Sequence, residues 1–299
     1  MKQYILFDVG GTGIKGNTFS EDGHFGWTQP KHYAAKSDLP TDALLAHFAD
    51  LICDVVDASG IAPADIAGLA SSFPGPFDYA AGKSLMHGRR KYDSLYGVDL
   101  KAAFGQVLAD HYGVHVPVLF ENDATAFGRG EYAMRPDPAS KRGMYITLGT
   151  GTGSCFIIDG QVVTDAQYGL NDEGMLYPVP FKDGVIDDWL CNQGLMRFAK
   201  AAGSDASDGA ALAGRAEAGD PVAQQAFRDF GAAIQDALLP FVSRFAPDDL
   251  AIGGGVSAGF ALFAPGMPEL QAQVPVRKSA QTSLSTMRGL VAILEDAHD

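Results

Sequence analysis

The stretch Phe7-Asp8-Val9-Gly10-Gly11-Thr12-Gly13-Ile14-Lys15-Gly16 decides how this chain is read. An apolar run, Tyr4 to Phe7, ends in a carboxylate. After Val9 come two glycines and a threonine, and soon a lysine. The pattern is a strand breaking into a tight turn whose backbone N–H groups are open to a phosphate. Ile14 to Phe19 is strand-like again, so the turn joins the two strands of a hairpin. The Walker pattern needs Gly-x-x-x-x-Gly-Lys-Ser/Thr opening a helix, and this is not it. A dinucleotide fingerprint also needs a helix next, and none follows. Taken alone, the segment also reads as a plain Gly-rich hairpin turn.

The same unit returns near residue 149. Met144 to Leu148 is apolar, Gly149-Thr150-Gly151-Thr152-Gly153-Ser154 follows, and strand-like Cys155 to Ile158 runs into the turn Asp159-Gly160. A repeat at roughly 140 residues indicates two similar domains rather than a solenoid, whose repeats are much shorter. Two facing Gly/Thr hairpins can hold a polyphosphate without a strongly basic surface. A third piece, Asp249-Leu250-Ala251-Ile252-Gly253-Gly254-Gly255-Val256-Ser257, is a short strand running into three glycines and a helix start at Ser257. Glycines there let a flat ring or a ribose lie against the backbone. A fourth, Phe120-Glu121-Asn122-Asp123-Ala124-Thr125-Ala126, sits between a strand at 116–120 and a helix through Tyr132. Asp123 at that junction either caps the helix or presents a carboxylate to a substrate hydroxyl.

These segments, in this order, resemble the ROK family of bacterial sugar kinases, in the actin-like ATPase superfamily. Asp8-x-Gly10-Gly11-Thr12-x-x-Lys15 is similar to its first phosphate motif, and Leu148-Gly149-Thr150-Gly151 to its second. Gly253-Gly254-Gly255-Val256-Ser257 is similar to its adenosine motif and Glu121-Asn122-Asp123-Ala124 to its catalytic segment. Phe73-Pro74-Gly75-Pro76-Phe77-Asp78 is similar to its sugar-side loop. The resemblance covers nearly the whole chain. It implies an α/β fold of two actin-like ATPase (ribonuclease H-like) domains with an interdomain cleft. Residues 1–122 with 283–299 would form the sugar and phosphate domain, and 123–282 the nucleotide domain. The terminal helix, Ser283 to Ala297, would return to the first domain.

The implied activity is transfer of phosphate from MgATP to a hexose hydroxyl, mostly the 6-hydroxyl, in a glucokinase-like manner. Phosphoryl transfer needs positioning and charge neutralisation more than covalent catalysis. Asp123 is the expected general base, which contributes typically ~10²–10⁴-fold. Asp8 is expected on the magnesium side, through water, since Mg²⁺ usually keeps several waters. Gly10, Gly11, Thr12, Gly149, Thr150 and Gly151 are expected to hold phosphate oxygens, and Gly253, Gly254 and Gly255 the nucleoside. Lys15 reaches a phosphate or is an exposed strand lysine. Asn122 is expected to bond a sugar hydroxyl, with Pro74 and Gly75 shaping that wall.

Composition agrees with a soluble enzyme. A chain of 299 residues can form two core-bearing domains. A formal net charge of −14, with no long basic run, argues against non-specific binding to nucleic acid or to an anionic membrane. Cys53, Cys155 and Cys191 are far apart and odd in number, which fits a reducing cytoplasm rather than a disulfide framework. Asp8 and Lys15 interrupt any signal-peptide core, and no apolar run approaches a membrane span. Strands are expected at 3–9, 14–19 and 24–29, then a helix from Asp42 to Ala58 and a strand from Ile66 to Ser71. A helix capped by Asp99 and stopped by Gly113 comes next. Helices are expected at about 186–202, 207–218 and 221–245. A homodimer is the expected assembly, after the family's habit.

Three places depart from the family pattern. Family members usually carry Glu-x-Gly-His after the second phosphate loop, with the Glu and the His holding sugar; here Asp172-Glu173-Gly174-Met175 stands there. Asp172 takes the glutamate position and Met175 the histidine position, and Glu173 substitutes if the loop shifts. A solvated loop is the other reading. The usual zinc cluster would follow, but Pro178 to Gly194 holds only Cys191 and no histidine, so no zinc is expected. Cys191 reads as a buried apolar residue. Arg89-Arg90-Lys91 is the third departure: a solvated loop, or a meeting point for an anion such as a sugar phosphate or inorganic polyphosphate. Polyphosphate as donor, an unusual sugar as acceptor and a non-catalytic sugar sensor are the competing readings. A chain that starts directly at its first strand argues against a DNA-binding repressor.

Overall fold

The structure, a computed structural model, describes residues 1–88, 91–171 and 173–297. The chain divides into two compact units, Met1–Gly130 with Ser283–Asp299, and Glu131–Thr282. The sequence reading set the first division earlier, between 122 and 123. It falls later because of two glycines. A Cβ on Gly130 would lie 1.7 Å from the Ser285 carbonyl oxygen, and one on Gly289 would lie 1.8 Å from that of Ala126. The helix carrying Gly130 therefore lies backbone to backbone on the C-terminal helix, Thr282–Asp296.

In the first unit the elements are β1 (Gln3–Val9), β2 (Gly13–Ser20), β3 (Lys31–Ala34), α1 (Thr41–Ser59), β4 (Ile66–Phe73), α2 (Leu100–Tyr112), β5 (Val118–Asn122) and α3 (Asp123–Ala133). The sheet order is β3-β2-β1-β4-β5. β1, β2 and β3 form an antiparallel meander, while β4 runs parallel to both β1 and β5. Helices cover both faces, so β1 is apolar almost throughout. Ile5, Phe7 and Val9 join one core with Leu44, Phe48 and Phe104; Tyr4 and Leu6 join another with Ala126, Met287 and Leu290. This is the period of two of a strand buried on both sides. Asp99 caps α2 by accepting from the Ala102 N–H, and Gly113 ends it at a left-handed φ of 68°.

Two expected strands moved. Segment 24–29 is not a strand; the third strand lies at Lys31–Ala34. Asn17 is the reason. Its Oδ1 accepts from Trp27 N at 3.0 Å and its Nδ2 donates to Trp27 O at 2.8 Å, so one side chain replaces a ladder. The strand expected at 116–120 begins at Val118 because Pro117 has no N–H to give; its carbonyl accepts from Leu69 N at 2.9 Å.

The second unit repeats the sheet: β6 (Arg142–Leu148), β7 (Thr152–Ile158), β8 (Gln161–Val162), β9 (Asp249–Gly253) and β10 (Val276–Lys278), ordered β8-β7-β6-β9-β10. Its helices include α4 (Ile186–Trp189), α5 (Asn192–Ala201), α6 (Gly209–Glu217) and α7 (Pro221–Phe245). The single helix expected over 186–202 is two. The break falls at Leu190-Cys191, where the Cys191 Sγ accepts from Gly194 N at 3.4 Å and caps α5. Cys191 is buried, as expected, but it also does a polar job. Arg277 of β10 holds the base of this unit, donating to both Asp249 carboxylate oxygens at 2.8 Å and to Glu131.

Candidate active site

In the first unit, β1 and β2 meet at Val9↔Ile14, and the turn between them closes with Gly10 N donating to Gly13 O at 2.9 Å. Among the described residues, the Gly11 and Thr12 N–H groups have no acceptor. They are the open donors that a phosphate loop needs. The register sets Asp8 directly opposite Lys15. Asp8 Oδ2 lies 3.6 Å from Lys15 Nζ, and Asp8 Oδ1 accepts from Ser72 Oγ at 3.1 Å. Lys15 also donates to Ser283 Oγ of the C-terminal helix. The lysine of the motif is thus half-buried and committed to a carboxylate and a hydroxyl.

Asp123 opens α3, and the cap of that helix is Asn122. The Asn122 Oδ1 accepts from Ala124 N at 3.0 Å and Thr125 N at 3.1 Å, two of the donors a helix start leaves over. Asp123 also accepts from Ala124 N, at 3.0 Å, through Oδ1. Solvent reaches the Asp123 side chain, yet protein crowds it from most directions, and that crowding governs its proton. Desolvation first, and the charge of Asp8 second, push its carboxyl up to about 6. Next to it, Glu121 is held by Asn122 N at 2.9 Å and by Arg129 Nε at 3.3 Å; desolvation raises its pKa against both.

The loop from Phe73 to Asp78, expected on the sugar side, joins this corner through Tyr79, which sequence reasoning missed. The Asn122 Nδ2 donates to Tyr79 Oη at 3.2 Å, and Tyr79 Oη donates to Phe73 O at 3.0 Å. A Cβ on Gly75 would lie 3.3 Å from the same hydroxyl. Asn122 therefore has its oxygen filled by the cap and one amide hydrogen taken by Tyr79, which leaves one hydrogen to offer. Pro74 is half-buried and Gly75 is exposed.

A second loop reaches the first turn. Tyr92 is fully buried at φ 57° and donates to Gly10 O at 2.9 Å; Ser37 Oγ donates to Gly11 O at 3.2 Å. Tyr92 N donates in turn to Ser37 O at 2.7 Å. Lys91 folds over the turn: a Cβ on Gly11 would lie 2.5 Å from its Cδ and 2.6 Å from its Nζ. Arg89 and Arg90, singled out with Lys91 in the sequence, lie outside the described residues.

In the second unit the turn is shorter. Leu148 pairs with Thr152, and Gly149 N donates to Gly151 O at 2.9 Å. Thr150 is exposed at its tip. Asp187 of α4, also missed from sequence, accepts from Thr152 N at 2.6 Å, and a Cβ on Gly151 would meet its carboxylate at 2.9 Å. Desolvation raises the Asp187 pKa. The only signal for it in the sequence was an acidic pair opening a helix after Gly184. Gly253 ends β9 and Gly254 bends at φ 85°, where a Cβ would lie 2.3 Å from Leu148 O. Gly255 faces open space. The helical turn expected to begin at Ser257 begins at Gly255 instead, because Ser257 Oγ turns back to donate to Gly254 O at 2.7 Å. Gly254 thus sits against the second hairpin and Gly255 exposes its backbone beside it, while Gly253 is buried in β9. Glu173 is exposed and Met175 half-buried. Their loop is tied to β7 by Ser154 Oγ, which donates to Gly174 O and accepts from Leu176 N. Asp172 lies outside the described residues.

Asp8 and Asp123 offer hard oxygens beside a turn with free N–H groups. Among the described residues, no group of three or more His, Cys, Asp or Glu side chains is placed to hold a metal ion, and no helix is long and apolar enough to cross a membrane.

Comparison with known proteins gives the family and the fold. A family model described as the ROK family matches residues 4–289. A beta-glucoside kinase of Klebsiella pneumoniae is 27% identical over 261 residues, covering 84% of this chain and 80% of that protein. A glucokinase of Streptomyces coelicolor is 28% identical over 171 residues, 48% of this chain and 53% of that one. Among solved structures, a ROK family glucokinase from Streptomyces griseus in complex with glucose and AMPPNP superposes with a TM-score of 0.74 at 21% identity. That superposition covers 98% of this chain and 99% of the other.

Proposed function

The chain belongs to the ROK family and is a sugar kinase, and we propose that it transfers the terminal phosphoryl group of MgATP to a hexose hydroxyl with Asp123 as general base. The observation that carries this reading is the division of labour at the start of α3. Asn122 supplies the cap, so the Asp123 carboxylate keeps capacity for a substrate, and its pKa of about 6 suits a proton acceptor near neutrality. Asp123 takes the proton of the sugar hydroxyl as its oxygen bonds to phosphorus. The bond from phosphorus to the bridging oxygen breaks, and ADP leaves. Gly11 and Thr12 hold phosphate oxygens through their free N–H groups; in the second unit Thr150 and Gly151 do so, on the turn that Gly149 N closes by donating to Gly151 O. Gly253, Gly254 and Gly255 leave room for the nucleoside. Asp8 would hold Mg²⁺ through water, and the ion would neutralise charge on the phosphate oxygens. Pro74, Gly75 and the remaining Asn122 amide hydrogen face the sugar, with Asp172 and Glu173 as further candidates. The compartment proposed is the cytoplasm, which suits three free cysteines.

The 6-hydroxyl of glucose or a related hexose is the first acceptor to try. A β-glucoside is the second. It is favoured by the relative named a beta-glucoside kinase, which aligns with 84% of this chain, against 48% for the glucokinase. A methionine at 175, where the family has histidine, also changes the hydrogen bonds offered to the sugar. The test is ADP release from MgATP across free hexoses, amino sugars and β-glucosides, with Asp123→Asn beside the wild type. Turnover with one acceptor, lost in the variant, supports the proposal and names the acceptor. Turnover that survives in the variant removes Asp123 as the base. No turnover with any sugar, but turnover with polyphosphate, moves the donor.

A further inference from the structure

We propose that Lys91 is a contact for the terminal phosphoryl group of the donor, and so supplies a cation to the first phosphate loop. The proposal rests on reading the β1–β2 turn as a phosphate loop. The motif lysine does not fill this role: Lys15 Nζ lies 3.6 Å from Asp8 and donates to Ser283. Its charge is already balanced by a carboxylate. Lys91 is different. Among the described residues no carboxylate pairs with it, and its Cδ and Nζ occupy the space where a Gly11 Cβ would stand.

The geometry around it is built rather than incidental. Tyr92, the next residue, is fully buried and donates to Gly10 O, and its backbone N–H holds Ser37, whose hydroxyl donates to Gly11 O. The carbonyls of both glycines are thereby satisfied on one side, while the N–H groups of Gly11 and Thr12 stay free. A left-handed φ at a non-glycine residue, Tyr92 at 57°, is a strained choice. Here it anchors the chain next to the turn and delivers Lys91 to it. An ammonium beside free N–H groups has a use if a multiply charged anion comes there. In a chain of net charge −14, an ammonium here adds local positive charge to what the backbone N–H groups offer an anion. Both ATP and inorganic polyphosphate end in such a phosphoryl group.

The experiment is equilibrium binding, by calorimetry, of MgAMP-PNP, MgADP and inorganic tripolyphosphate to the full-length wild type, Lys91→Met and Lys91→Arg, with thermal melting as the check on folding. Loss of a charge-assisted contact predicts about 10- to 100-fold weaker MgAMP-PNP binding in Lys91→Met. MgADP binding should change by less than about threefold, and Lys91→Arg should recover part of the loss. The same loss with tripolyphosphate alone would keep the phosphoryl contact and change the donor. Equal affinity of Lys91→Met and wild type for all three ligands overturns the proposal, and equal weakening of MgADP and MgAMP-PNP removes the terminal phosphoryl as the contact. A wild type that binds none of the three overturns the phosphate-loop reading itself, and Lys91 falls with it.

Discussion

The two Gly/Thr hairpins share a backbone device and differ in charge. In the first, Asp8 faces Lys15 across the strands; in the second, the matching cross-strand pair is Thr147 and Gly153. Each turn also takes a side chain from a distant segment into the space beside a glycine. At Gly11 it is the Lys91 ammonium, and at Gly151 it is the Asp187 carboxylate. A glycine without a Cβ permits both approaches, so the fold repeats while the chemistry diverges. The first hairpin, with Asp8 and Lys15 on its strands and Lys91 over its turn, suits the reacting end of a phosphate chain. The second, nearly free of charge on its own strands, suits holding.

If that contrast is right, Asp123→Asn has the largest effect. It should lower kcat by about 10²–10⁴-fold and leave MgADP affinity unchanged, as steady-state kinetics and calorimetry would measure. An unchanged kcat would break the assignment of chemistry to the first unit. Acidification should act in the same direction. The base must be ionised, and its folded-state pKa is about 6. Activity is therefore full above that pH and falls about tenfold per unit below it. Asp8 raises this pKa, so an ion on Asp8 should move the midpoint down, and the kcat and kcat/KM profiles are the measurement. A profile flat down to pH 5 would sink the assignment.

Two glycines sharpen the contrast further. Gly254→Ala forces a side chain into φ 85° and within 2.3 Å of a backbone oxygen. A loss of roughly 2–4 kcal/mol by denaturant unfolding is expected. Gly11→Ala meets only the flexible end of Lys91, so stability should shift by less than about 1 kcal/mol while MgAMP-PNP binding weakens as in Lys91→Met. The smallest effect is expected at Cys191→Ser. A serine oxygen still caps α5 by accepting from Gly194 N, so stability should stay within about 1 kcal/mol and kinetics should not move.

Much of this was legible because the signals were local. A strand ending in glycines, a capping Asp99, a stopping Gly113 and the helical spacing of Leu44, Phe48, Leu51 and Val55 each act over a few residues. The misplacements have the opposite cause. Asn17 replaces a strand pairing from ten residues away, and Cys191 breaks a helix by capping the next one; neither residue type announces that role. At the site, Asn122 was assigned to the sugar, and its part as helix cap and partner of Tyr79 appeared only with coordinates.

The order and spacing of residues determined, by themselves, that the chain has two hairpin-bearing units, which motif each carries, and that Asp123 opens a helix beside them. Those depend on backbone propensities and periodicity, which act within a segment. The tertiary structure alone decided that Lys15 is spent on Asp8 and Ser283, that Lys91 stands over Gly11, and that Asp187 stands beside Gly151. Electrostatic partners are chosen by distance in space, and residues 11 and 91, or 151 and 187, become neighbours only after their sheets and loops have packed.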